Sequence, residues 1–224
     1  MTIVKYSLFG GVSVNWGPKD LAQAITNEVI AHESSFRKVS GKIRYGLEMM
    51  IILLYQVFIV LLLGSLFDLF FLTVLCLLSL SVFRMFSGGA HFSKFHHCLI
   101  ASVMLIFTIS FTSKYLSPML DIIYWQLIAY PIVIFFVWRY APILFKKEAA
   151  FSDSQKQQNK WISISIALFL MIVSLFIPKT YSIVIMQVLV YQTFTITPIG
   201  VFIIHSIDKI LIKKEIDLNE KVSL

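Results

Sequence analysis

Charge is what this chain has least of. Asp, Glu, Lys and Arg make up 14% of its 224 residues, against ~25% in an ordinary soluble domain. Together with a hydrophobic share of 58%, where soluble chains hold ~45–50%, that shortage excludes the soluble globular class. Cysteine is scarce as well: Cys76 and Cys98 are too few for a disulfide framework. Cys76 stands mid-run among Leu and Ser and reads as a small buried hydrophobe. The first 46 residues carry charges but no apolar core of signal-peptide type, so no cleaved leader is expected and the first membrane helix serves as its own signal. Several catalytic signatures are missing too. His32-Glu33 lacks the second histidine of HExxH, and neither GxSxG nor CxxC occurs, which removes the usual marks of zinc proteases, serine hydrolases and structural zinc sites.

What is present is grease at membrane length. Apolar runs of 17 or more residues recur, enough to cross a hydrocarbon core ~30 Å thick as helix. The reading is an all-α, polytopic membrane helical bundle with six transmembrane helices, at about 47–63, 66–83, 94–112, 119–138, 161–177 and 181–204. Residues 1–46 form a cytoplasmic N-terminal segment, 47–205 the membrane domain and 206–224 a cytoplasmic tail. Gly17-Pro18 looks like a helix start, and Leu21, Ala24, Ile25, Val29 and His32 fall at helical spacing, so an amphipathic helix is expected over 18–34. Gly64-Ser65 should join the first two spans in a tight hairpin. Pro131 and Pro198 should kink spans four and six, or mark where they end. The polar run Ser152–Asn159 reads as part of a mobile connection.

Lys and Arg report orientation. The N-terminal segment holds 6, the second connection 2, the fourth 5 and the tail 4 of the 19, leaving only Lys114 and Lys179 for the other side. The positive-inside rule then puts both termini and the stretch Arg84–Cys98 in the cytoplasm. The same distribution accounts for the net charge of +7: basic loops meet an anionic lipid surface, and no nucleic acid is implied.

That stretch concentrates the polar chemistry. Gly88-Gly89 free the backbone, His91 follows, and Cys98 comes seven residues after it. A thiol attacks as thiolate, so it needs a base or a helix N-terminus beside it. Ser93 is a candidate N-cap that would put Cys98 near the positive end of the third span. On a helix His97 points about 100° and His96 about 200° away from Cys98, while His91 shares its face but lies ~10 Å along the axis. His91 therefore reaches Cys98 only where the chain doubles back at the glycines. Two plainer readings stand beside catalysis: interfacial decoration, and a metal site of His91, His96, His97 and Cys98. A non-enzymatic transporter or exporter of a peptide or metal is the alternative for the whole chain.

Arg84-x-x-x-Gly88-Gly89-x-His91 with Cys98 seven residues on resembles the AgrB family. So do Gln192-Thr193 ahead of Pro198 and the lysine-bearing connection after Pro142. The likeness runs from about residue 20 to 205, and the tail beyond Ser206 extends past it. It implies a membrane-embedded cysteine endopeptidase that removes the acidic C-terminal tail of an autoinducing (AgrD-like) peptide precursor through a Cys98 thioester. The product is a cyclic lactone or thiolactone quorum-sensing signal. Cys98 would be the nucleophile and His91 its base. Arg84, Ser87, Gly88 and Gly89 would position substrate or oxyanion, and Lys146 and Lys147 would grip the precursor tail. No metal and no cofactor are expected. The partners implied are the precursor, the lipid bilayer and, as a homodimer, a second copy, in a bacterial cell membrane.

Overall fold

The computed structural model describes residues 17–90, 92–143 and 152–222, apart from the side chains of Met49 and of 216–222. Among the described residues eight α-helices run in order: α1 Pro18–His32, α2 Ser40–Leu66, α3 Phe70–Ser87, α4 Phe95–Leu116, α5 Ile122–Tyr140, α6 Asp153–Phe176, α7 Lys179–Thr195 and α8 Pro198–Val222. A 3₁₀ turn, Ser34–Val39, precedes α2. The chain is all-α among the described residues. Five of the described segments are long and apolar enough to cross a membrane, or six if the bent pair α7–α8 counts as one.

The chain divides into two units, Met1–Phe58 and Ile59–Leu224. In the first, Pro18 supplies the preset φ of a first helical turn. The buried residues of α1 are Pro18, Ala22 and Thr26, an i, i+4, i+8 stripe, whereas Ile25 of the expected apolar face is exposed. The small side chains mark the close approach; periodicity of hydrophobicity alone pointed one residue away. Arg44 donates to Gln23 Oε1 at 2.9 Å.

In the second unit α2 ends later than the sequence reading placed it. Leu69 N bonds Gly64 O at 2.8 Å and Asp68 N bonds Ser65 O at 3.5 Å, a Schellman closure with Asp68 in the left-handed region at φ 54°. The turn is therefore Phe67–Leu69, and Gly64 lies inside the helix, where a Cβ would collide with Thr73 Oγ1. Lys114 donates to both the carbonyl and the carboxylate of Asp68. That hydrogen bond, and secondarily the charge, holds the Asp68 carboxyl below its usual range. The contact is therefore complete above the ordinary carboxylate range and is lost as pH falls through the lowered value.

Around α7 the remaining spans assemble: α3, α4, α5 and α6 all pack on it. Nothing about the order of elements required this. α7 buries side chains on every side, its few polar groups included, and Ile183, Val184, Ile185, Val188 and Leu189 are fully buried. Large side chains such as Phe71, Leu78, Phe169 and Ile172 stand exposed on the outer helices, as lipid-facing positions must. Because lipid is as apolar as leucine, burial among helices gains little from hydrophobicity, and packing with interhelical hydrogen bonds does the holding. At one end of α7, Gln126 of α5 donates to Ser182 at 2.8 Å and to Tyr130 at 2.9 Å, and Ser182 donates to Ser174 O of α6 at 2.7 Å. Midway, Thr112 of α4 donates to Gln187 at 3.0 Å. Such bonds average ~0.6 kcal/mol each in a membrane, so α7 is fixed by their number.

Two expectations change here. The sixth span does not run on through Pro198: α7 stops at Thr195, and α8 leaves at 80° with Pro198 in its first turn, because proline has no N–H to continue the ladder but suits a helix start. The run Ser152–Asn159 is not loose connection. Ser152 Oγ accepts from Gln155 N while Gln155 reaches back to Ser152 N, a capping box that starts α6 at Asp153. Pro131, by contrast, lies within α5 without ending it.

Candidate active site at the loop between α3 and α4

Two consecutive glycines turn the chain out of α3. Gly88 has φ 70° and ψ −142°, with its amide on Arg84 O at 3.0 Å, and Gly89 has φ 127°. Both are in backbone regions nearly closed to side chains. Space forbids a side chain as well. A Cβ on Gly88 would run into Ile143 O, and one on Gly89 would sit 2.6 Å from Thr195 Oγ1.

The loop is lashed from three directions. Ile143, just past α5, donates its amide to Ser87 O at 3.0 Å and pairs with Gly88 as a parallel bridge. Gln192 of α7 donates to Gly88 O at 2.6 Å and to Ser87 Oγ at 3.0 Å. Thr195 O accepts from Ala90 N at 3.1 Å, and Arg84 donates to Ala90 O at 2.6 Å. Ser87 is fully buried and Ala90 nearly so. The Ser87 hydroxyl and the Gly88 amide thus hold the loop together, and Arg84 spends one nitrogen on it. Gln192→Leu should strip both of its bonds and lower stability by roughly 1–2 kcal/mol, visible as a lower melting temperature in detergent; an unchanged melting point would show the bonds idle.

The chain next enters α4. Ser93 is not the N-cap; Lys94 is, with no side-chain cap. Ser93 turns instead to α8, donating its amide at 3.0 Å and its hydroxyl at 2.6 Å to Asp208 Oδ2. Cys98 makes the helix's first intrahelical bond, to Lys94 O at 3.1 Å, so its free, partly exposed thiol sits one turn from the positive end of α4. Cys76 is buried, as its surroundings in the sequence implied.

Sequence reasoning missed three neighbours. Tyr191, beside Gln192 on α7, lies within electrostatic range of both Arg84 and Cys98. Asp208 and Glu215 on α8 contact the start of α4: His97 Nδ1 is 3.5 Å from Asp208 Oδ1, and Lys94 Nζ is 2.7 Å from Glu215 Oε2. Their seven-residue spacing puts both carboxylates on one face of a helix, a signal that was legible in the tail. Of the residues singled out from sequence, Arg84 and Ser87 close α3, Gly88 and Gly89 turn the chain out of it, and Cys98 lies at the start of α4. His91, Lys146 and Lys147 lie outside the described residues.

Fold and loop together define a class: a multi-pass helical membrane protein whose glycine turn, pinned beneath a central helix, leads directly into a cysteine-bearing helix start. The family profile of AgrB, accessory gene regulator B, matches residues 19–196, and the chain belongs to that family. A protein of Clostridium perfringens (strain SM101 / Type A) with the name "Putative AgrB-like protein" is 23% identical over 205 residues, covering 85% of this chain and 96% of its own. No solved structure matches.

Proposed function

We propose that this chain is the membrane-embedded cysteine endopeptidase of an accessory-gene-regulator quorum-sensing system, and that it cuts a peptide precursor. The observation that carries the reading is the pinned Gly88-Gly89 turn running into the first turn of α4, where Cys98 is accessible. In this reading the Cys98 thiolate attacks the carbonyl carbon of the scissile peptide bond after His91 has taken its proton. Arg84, through nitrogens not engaged by Ala90, and the Gly89 amide stabilise the oxyanion; Ser87 and Gly88 hold that geometry. The C–N bond then breaks, the imidazolium protonates the departing amine, and the acidic C-terminal fragment leaves. Cys98 keeps the remainder as a thioester. An internal thiol or hydroxyl of the precursor displaces Cys98, closing a thiolactone or lactone and regenerating the thiol. Water must be kept away, since hydrolysis would drain the thioester, and an apolar niche serves that end. The chain works at the inner face of a bacterial cell membrane with both termini cytoplasmic, as a homodimer.

Intact-mass spectrometry of the protein incubated with precursor tests the thioester: an adduct equal to the precursor minus its tail, released by neutral hydroxylamine and located on Cys98, is expected. Cleavage without any such adduct would mean that water or another group is the nucleophile.

Lys146 and Lys147 are three and four residues beyond Ile143, which pairs with Gly88. We assign them to the precursor's acidic tail. The double change to Glu should raise KM for the precursor about tenfold or more with kcat nearly kept, the signature of uniform binding. A fall in kcat alone would reject that role.

A further inference from the structure

The carboxylates of α8 meet two histidines at the start of α4. His96, His97 and Glu215 each present one ligand atom, and these atoms all lie within 4.8 Å of one another. His96 Nε2 is 3.4 Å and His97 Nε2 3.6 Å from the same oxygen, Glu215 Oε2. The edge of a tetrahedron built with metal bonds of ~2.0–2.1 Å is ~3.3 Å, so these two separations need close by only a few tenths of an ångström; the two imidazole nitrogens lie within 4.8 Å of each other. Behind the cluster, His97 turns its other nitrogen, Nδ1, to Asp208 Oδ1 at 3.5 Å. Both atoms are buried and neither makes a hydrogen bond as they stand, while the other oxygen of Asp208 is fixed by two hydrogen bonds from Ser93. A simple surface ion pair has no use for a second, buried carboxylate on the far side of the ring. A metal-bound imidazole does, because that carboxylate sets the tautomer and the ring's orientation.

We infer that His96, His97 and Glu215 form a binding site for a divalent transition cation, with Asp208 orienting His97. Two imidazole nitrogens and one carboxylate oxygen suit zinc, with water as the fourth ligand. Lys94 now holds the place of the cation, its ammonium 2.7 Å from Glu215 Oε2. Its side chain is about one-third exposed and free to swing into water when the metal enters. The bound ion would tie α8, which begins beyond the family-matched residues 19–196, to the turn that ends in Cys98. The site does not depend on the peptidase reading.

Purified full-length protein in detergent, titrated with zinc alone against a chromophoric chelator, tests it. One zinc per chain is expected, kept by Cys98→Ser, lost in Glu215→Gln, weakened about 10–100-fold by Asp208→Asn and tightened by Lys94→Met. Cobalt in place of zinc should give the weak visible bands of nitrogen and oxygen ligation without thiolate charge transfer. The inference is overturned by absence of stoichiometric binding, by binding that survives Glu215→Gln, or by binding that vanishes in Cys98→Ser. Should Glu215→Gln fail to fold, His96→Gln, whose side chain is half exposed, decides in its place.

Discussion

Replacing Cys98 with alanine should abolish precursor cleavage, by on the order of 10³-fold or more, while the protein still inserts and melts as the parent does. Nucleophile deletions in covalent peptidases are of that size because the intermediate they form has no substitute. The side chain is partly exposed at a helix start, so its loss disturbs little packing. His91→Ala should match it in cleavage, since the two act as one unit and their effects do not add. A second measurement separates the roles: alkylation of Cys98 by a mild iodoacetamide probe should slow in His91→Ala if the imidazole takes the thiol proton. Unslowed alkylation together with lost cleavage would move His91 to leaving-group protonation alone. Normal cleavage by Cys98→Ala would end the peptidase reading.

Gly88→Ala should be nearly as damaging to activity, and for a different reason. At φ 70° and ψ −142° an alanine costs about 1–3 kcal/mol in backbone strain. Its Cβ also meets a backbone carbonyl, Ile143 O, which cannot rotate aside as a flexible side chain would. Relief requires the turn to leave Ile143, and with it the bonds from Gln192 and Ile143 that place the approach to α4. Cleavage should fall steeply and the melting temperature by several degrees. Gly41→Ala and Gly46→Ala are the controls: a Cβ there meets nothing within 4 Å, and alanine is the better helix former by ~1 kcal/mol. Equal effects at all three positions would mean that the turn has no special part.

Much of this was legible before any coordinates. The helical membrane class follows from runs of apolar residues too long for anything else, and the glycine pair announced a turn because no other residues tolerate it so easily. The capping box at Ser152 and Gln155 is also readable, but the polar run around it masks a helix start as a loose connection. Asp208 and Glu215 carry a helical spacing within the tail. Other features had no local signal. The buried stripe of α1 is set by small side chains, and that Pro198 would end a helix and start another, rather than bend one, depends on what packs around it.

The amino-acid order by itself determined that this chain is built of apolar helices of membrane length, and that a glycine pair breaks the chain shortly before Cys98. Helix length, hydropathy and glycine's backbone freedom are properties of neighbours in the chain. Only the tertiary structure decided that α7 stands in the middle and that Gln192 grips Ser87, 105 residues away. It also decided that Asp208 reaches Ser93 across 115. In lipid, where apolar faces do not sort helices, such pairings depend on which polar groups find one another in three dimensions, and no pattern along the chain records that.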